Sequence, residues 1–499
     1  MKKILVAAIA VLIASPAFAG IQNVKVSGDI QSTFIDRQDF GLGSLYSATN
    51  APTGQTLGTP AGLHSQDIFA TQTRVRVDAD LTDNVSATVR LLNERAWGTP
   101  ASEAGGDGVD LDLAYVTLRS FLYSPLTLSV GRQEFIFGNG LIIGGGPNNV
   151  GVGHFNAVAD DLTEIDSEDG IKAVLDYKPL TLTLFYYKEG QTLNSLRGLY
   201  DSNASSDDVF GYNVNYQLGD AYNTVLETYL FSRIEGDNYA LQGPVVGGNP
   251  TAADKGDTLF VPGLRASTNP VKGLNVQGEL AWQLGNHPVL DETGLSGGLP
   301  TYTNKQETEH REALAAQFLA TYSLPVLEKY KPAVNASFTY VSGDKNGAQN
   351  YDGDAVKSAK VYSAWDQFDK NVNGGTIYNS IFPLSNLYIY TLGASAAPLE
   401  DVTTSFTWSS LWAANKFSAE NPLEILQPNS DWTSSDVYLT PTSTNKKGLG
   451  NEYDVNLGYN YTEDVSFGVS LGWFVAGNAF ADSNRGVASQ AIADVRVLF

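Results

Sequence analysis

The chain has 499 residues, a formal net charge of −23, 49 glycines, 25 tyrosines, 22 phenylalanines and no cysteine. The acidic balance argues against nucleic-acid binding, which depends on basic stripes. The missing thiols exclude a disulfide framework, a haem-attachment motif, an iron–sulfur site and cysteine-ligated zinc.

Lys2 and Lys3, the apolar run from Ile4 to Ala14 and the sequence Ala17-Phe18-Ala19 form a secretory signal with its cleavage site. The expected division is a signal peptide over 1–19 and one domain over 20–499. After Gly20 no stretch approaches the ~18 uninterrupted apolar residues that a spanning helix needs. An exported chain of this length without disulfides must be held by a large core or by closure of a sheet.

Apolar and polar residues then alternate with a period of two, the mark of strands with one apolar face. Taken in order, the pattern predicts strands near 23–36, 67–80, 84–95, 109–122, 125–137, 167–177, 180–189, 208–218, 222–233, 256–268, 272–285, 309–324, 331–343, 384–396, 400–412, 449–462, 464–475 and 489–499. That is about eighteen, an even count within the range of single-chain transmembrane barrels. The connections alternate too. Turns such as 81–84, 123–125, 177–179, 218–220 and 462–464 are short; 37–66, 138–166, 286–308, 344–383 and 413–448 are long. Outer-membrane barrels have short periplasmic turns and long outer loops, so both termini are expected on the periplasmic side. The last strand ends on Phe499 behind an apolar face of Ala491, Ala493, Val495 and Val497. Such an aromatic end resembles the signal by which bacterial barrels are inserted. The predicted fold is therefore an all-β, transmembrane antiparallel barrel in the bacterial outer membrane, with outer-membrane lipid around it and no room for an N-terminal plug.

If the apolar face meets lipid, the other faces the lumen. This phase turns Phe69, Val75 and Val77 outward and Arg74, Arg76 and Asp78 inward. Arg90, Glu94, Lys172, Glu279, Asp494 and Arg496 are likewise expected to line the pore. One segment breaks phase: counting on from Leu126, Leu128 and Val130 sends Arg132 and Glu134 into lipid. A bulge at Gly131 would return both to the lumen and turn Phe135 and Phe137 outward. Arg74, Arg76, Arg90 and Arg132 then form a cluster that attracts anionic solutes. Alternatively, they pair with Asp78, Glu94, Asp112 and Glu134 and brace the wall.

Asp160, Asp161, Glu164 and Asp166 make an acidic run that is either a weak calcium candidate or a solvated loop. The connection 344–383, with Trp365 and Phe368, is long enough either to fold inward and constrict the pore or to cap it from outside. His64, His154, His287 and His310 show no metal-ligand spacing and no nucleophile beside them, so neither an enzyme nor a cofactor is expected.

Val130-Gly131-Arg132-Gln133-Glu134-Phe135, the loop Gly144-Gly145-Gly146-Pro147-Asn148, Tyr340-Val341-Ser342-Gly343-Asp344, Asn451-Glu452-Tyr453-Asp454 and Gly472-Trp473-Phe474-Val475-Ala476-Gly477 resemble the alginate-export family of outer-membrane proteins. The resemblance spans roughly 70–499. It implies an eighteen-stranded monomeric barrel whose arginine-rich lumen, with Arg132 among its residues, exports an anionic polysaccharide. The resulting expectation is a channel for small hydrophilic or anionic solutes, with two rivals: a nonselective porin, and a barrel that sheathes a periplasmic partner such as an electron carrier.

Overall fold

The computed structural model describes residues 23–40, 42, 65–98, 108–144, 162–191, 206–235, 257–296, 299–343, 361–368, 374–382, 384–415, 446–480 and 485–499. Eighteen long strands form one antiparallel sheet: β1 Asn23–Gln38, β2 Ser65–Thr82, β3 Val85–Ala96, β4 Asp110–Leu118, β5 Leu126–Gln133, β6 Glu168–Asp176, β7 Leu180–Gln191, β8 Ser206–Gln217, β9 Val225–Glu235, β10 Asp257–Val271, β11 Leu274–Ser296, β12 Leu299–Ser323, β13 Ala333–Val341, β14 Leu387–Ala396, β15 Val402–Ala413, β16 Gly448–Asn460, β17 Val465–Ala476 and β18 Val487–Leu498. Each pairs with its neighbours in sequence, and β1 pairs with β18 from Asp29↔Leu498 to Gln38↔Ser489, which closes the barrel. Main-chain bonds between Gly28 and Phe499 finish the seam. Closure leaves no open long edge, so the backbone groups within a bilayer are paired inside the sheet.

The alternation of side chains explains why this sequence closes. Val24, Ile30, Phe69, Val130, Ile171, Leu184, Phe210, Leu226, Leu280, Phe318, Leu392, Phe406, Val469 and Trp473 are exposed on the outer face. An apolar belt of this kind belongs against lipid. Their polar neighbours in sequence turn inward. At the periplasmic end, Tyr123 and Tyr177 share a hydroxyl–hydroxyl hydrogen bond of 2.8 Å, an aromatic rim at the water boundary.

All eighteen predicted strands are present. Two expectations about their course are corrected. The connection expected over 286–308 is strand instead: β11 and β12 run on as a hairpin to Ser296↔Leu299, with shifts of register near Glu292. A bulge at Gly131 is not formed. Arg132 pairs in unbroken register with Ala114 and Asp169, and Gln133 with Glu168. Gly131 accommodates the twist by its φ of +124°. A Cβ there would lie 2.2 Å from the carbonyl oxygen of Ala114, so only glycine fits. The bulge lies instead one strand earlier, opposite Arg90/Leu91, where Asp112 and Leu113 are both buried.

Candidate functional site: a lumen crossed by two straps

The barrel interior is neither empty nor evenly lined. Two outer connections turn inward and cross it. The first leaves β5 at Glu134. Its side Phe135 and Phe137 stack within a cluster formed with the inward Phe185, Tyr187 and Phe231, at centroid distances of 4.8–6.0 Å. Leu141, Ile142 and Ile143 are buried beside it. Phe135 and Phe137 therefore face the interior, not the lipid as the bulge required. The strap reaches β10 at Asn139, whose Oδ1 accepts a hydrogen bond from Arg265 at 2.9 Å. Its returning leg, 162–167, lies over β2 and β3. There Glu94 accepts hydrogen bonds from Gln72 (2.9 Å), the Thr163 hydroxyl (2.6 Å) and the Glu164 main-chain N–H (2.7 Å).

The second strap follows β13. Trp365 is buried, and Asp366 is set between Arg233 of β9 and Arg311 of β12, 2.9 Å from each. Phe368 lies under the Arg233 guanidinium. Further along, Glu452 of β16 accepts the main-chain N–H groups of Thr376, Ile377 and Tyr378 at 2.6, 3.0 and 2.6 Å. These N–H groups begin the one-turn helix Tyr378–Ile381. Asp454 accepts from the Thr376 hydroxyl at 2.6 Å, and Gln490 of β18 donates to the Thr376 carbonyl at 3.1 Å. The strap is thus pinned to β9 and β12 at one end and to β16 and β18 at the other, so the expected inward fold is present in the described part of 344–383.

Among the described residues, most inward arginines meet carboxylates; Arg37 donates to the Gln490 amide oxygen at 2.6 Å. Arg74 pairs with Asp29 (2.9 Å) and Glu164 (2.6 Å), and Asp29 also receives Arg496 (3.1 Å). Arg76 holds Asp78 at 2.8 Å. Arg90 binds Asp112 and, at 2.7 Å, Glu134. Arg265 meets Glu227 at 2.9 Å and Gln277 at 2.6 Å. Arg311 meets Asp257 as well as Asp366. The carboxylates exceed this demand. Glu94, Glu452 and Asp454 are met by hydrogen-bond donors rather than cations, while Glu279 accepts from the Tyr229 hydroxyl at 2.6 Å and lies 4.0 Å from Arg265.

Of the residues expected to line the pore, Arg74, Arg76, Arg90, Lys172, Glu279, Asp494 and Arg496 lie on inward positions. Glu94 also points inward but is covered by the returning leg and fully buried. Lys172 donates to the Glu134 carbonyl at 2.9 Å and lies over the Phe135 ring, 5.2 Å from its centroid. Glu134 is in the lumen because the chain leaves the sheet there. Arg132 is not. It shares the outer face of Val130 and pairs with the exposed Asp169 at 3.2 Å. For the acidic run, Asp160 and Asp161 lie outside the described residues, and Glu164 is spent on Arg74. No group of three potential metal ligands occurs among the described residues. Burial, then the charges of Glu134 and Asp112, push the Asp166 carboxyl up to about 7, so it is a poor metal ligand at lower pH.

Sequence reasoning missed Arg233, Arg265, Arg311, Glu452 and Asp366. The first three sit on strands whose inward faces also carry Tyr229, Phe231, Leu259 and Val261, buried by the straps. A lumen face that is itself apolar hides the alternation. The arc β13–β15 and β17 differs again. Its inward positions, among them Asn335, Ser337, Thr391, Ser405, Thr407 and Ser466, carry no ionisable group.

No family model and no curated protein matches the chain. Solved structures do. The chain is similar to Pseudomonas aeruginosa OccK5 (11% identity, TM-score 0.50, covering 96% of this chain and 99% of that one). It is similar to Pseudomonas aeruginosa OccK2 in complex with glucuronate (9%, 0.50, 96% and 99%) and to Acinetobacter baumannii OccAB1 (10%, 0.50, 97% and 98%). At such identities the likeness is one of fold, here over nearly the whole chain. The fold is that of an outer-membrane porin, and the outer apolar belt places the chain in the bacterial outer membrane. These structures are Occ proteins rather than alginate exporters, so alginate export is not supported.

Proposed function

We propose that the chain is an outer-membrane channel that passes small hydrophilic solutes and conducts cations in preference to anions. The observation that carries this reading is the pairing of Arg74, Arg76, Arg90, Arg233, Arg265, Arg311 and Arg496 with carboxylates, while further inward carboxylates, the buried Glu94, Glu452 and Asp454 among them, are met by hydrogen-bond donors rather than cations. A cluster already neutralised exerts little pull on an anion, because the field of each guanidinium ends on its partner. The excess acid raises the local concentration of cations. Among the described residues the straps bring no set of reacting groups together, so selection by size and charge is the available chemistry. A polysaccharide chain would have to thread between both straps, and a sheath for a periplasmic electron carrier would need a lumen free of them.

The test is planar-bilayer conductance of the purified barrel under a salt gradient. A reversal potential of cation-selective sign is expected. Anion selectivity would overturn the proposed preference and revive the arginine-lined conduit. No selectivity would leave a general porin.

A further inference from the structure

Four charged side chains stand on the outer face where an apolar belt is required. Arg132, Asp169, Lys188 and Asp208 occupy consecutive strands β5–β8 and are direct cross-strand partners: Arg132↔Asp169, Asp169↔Lys188 and Lys188↔Asp208. Val130, Ile171, Leu184, Tyr186 and Phe210, exposed on the same strands, show that this is the outer side. Arg132 lies 3.2 Å from Asp169, Lys188 lies 2.8 Å from Asp208, and the Tyr186 hydroxyl donates to Asp208 at 2.6 Å. The signs run plus, minus, plus, minus.

The ladder lies within the belt, not above it. Arg132 is six residues beyond Leu126, where β5 leaves its periplasmic turn. At about 3.3 Å per residue and a tilt near 40°, that is roughly 15 Å up a band about 25 Å tall. Asp169, Lys188 and Asp208 lie seven to nine residues from the periplasmic ends of their strands, which is still inside the band. Charges on a lipid-facing wall are most unfavourable near its middle, where Arg132 stands, and less so toward the rim, where Asp208 stands. The side chain of Asp169 is nevertheless 69% exposed.

We infer that this face is covered by a second copy of the same chain. An alternating row of four is self-complementary. A two-fold axis along the membrane normal, passing between β6 and β7, sets Asp169 of one copy against Lys188 of the other, and the reverse. The row has no net charge, so it gives a lipid phosphate no excess of cations: each would be met beside an aspartate. An isologous contact of this kind satisfies both central charges twice over.

The chain has no cysteine, which makes the test clean. Ile171→Cys places a thiol beside the proposed axis, and Leu392→Cys places one on β14, far around the wall. Both are made in the full-length protein, folded in lipid vesicles and treated with a short bis-maleimide. Heat-modifiable mobility on gels confirms that each variant has folded; Leu184→Cys replaces Ile171→Cys if the latter does not. The Ile171→Cys protein should give a crosslinked dimer as its main product and Leu392→Cys should not. Adding Lys188→Asp should abolish that dimer, and adding Asp169→Lys to the same chain should restore it, since 169 again faces its opposite charge across the axis. A folded Ile171→Cys protein that stays monomeric, or crosslinks no better than Leu392→Cys, overturns the inference. So does a dimer indifferent to charge reversal.

Discussion

Glu452 and Tyr378 meet side chain to main chain, the carboxylate of β16 taking the Tyr378 N–H at 2.6 Å while it also holds the N–H groups of Thr376 and Ile377. One buried carboxylate therefore fixes the far end of the second strap. Removing it as Glu452→Ala leaves three donors without their acceptor, a local loss on the order of 3 kcal/mol. The barrel should still fold, since its sheet is untouched. Hydrogen exchange over 374–382 should quicken and single-channel conductance should rise. Unchanged exchange in that segment would show that the strap is held by something else.

Arg265 ties the tip of the first strap to β10 and neutralises buried Glu227. Arg265→Ala leaves that carboxylate in a covered site without its cation, which costs about 3–5 kcal/mol locally. The expected readout is a reversal potential moved further in the cation direction. Arg132→Ala, on the outer face, should leave it where it was. Equal shifts from both substitutions would contradict the assignment of Arg132 to the outside.

Gly131→Val should impair assembly. Its φ of +124° is poorly open to a β-branched residue, and its Cβ would collide with the Ala114 carbonyl. Strain of this kind costs roughly 1–3 kcal/mol before the clash is counted. The share of heat-modifiable, folded barrel in a refolding assay should drop. Gly278→Val is the control, since nothing lies within 4 Å of a Cβ built there and its backbone is not in the left-handed region.

The acidic segments of the two straps should respond to pH in different directions. Asp166 binds its proton more tightly in the folded protein, up to about 7, because it is buried near Glu134 and Asp112. Between its ordinary value of 3.8 and about 7, the folded state holds more protons than the unfolded one. The docking of 162–167 is therefore firmest below that window and weakens as pH rises through it. Protection of the segment, after correction for the intrinsic pH dependence of amide exchange, should fall from pH 4 to about pH 7, and Asp166→Asn should flatten that profile. Asp366 behaves in the opposite sense. Burial alone would raise it, but Arg233 and Arg311 hold it below 3.8. Its contribution is complete above that value and is lost only as pH falls through the lower folded value. Loosening of 361–368 near neutral pH would contradict this.

The barrel was legible because lipid enforces its rule on every strand: a residue on the outer face is apolar or it is unfavourable. That constraint repeats every second position, so Val465, Phe467, Val469, Leu471 and Trp473 announce a strand without help from any other part of the chain. The lumen obeys no such rule. Its inner face is polar where water touches it and apolar where a strap covers it, so Phe185 and Arg90 both point inward. Arg132 shows the limit of the argument from phase. The rule that charges avoid lipid was strong enough to demand a bulge at Gly131, whereas the strand keeps its register and places Arg132 outside, paired with Asp169. Likewise, nothing local to Glu452 reveals that its partners are the N–H groups of a segment more than seventy residues earlier.

The seam between Asp29 and Leu498 has a consequence for the order of events in the life of the chain. The first strand to emerge can satisfy one of its edges at once, on β2, but the other waits for the last residues to be made. No fragment lacking β18 can close. Until Phe499 arrives beside Gly28, the exported polypeptide carries two unsatisfied sheet edges and a broad oily surface, which is the condition that invites aggregation. A stop codon a dozen residues early would cost far more than a dozen residues. It would remove the strand that joins β17 to β1 and closes the cylinder.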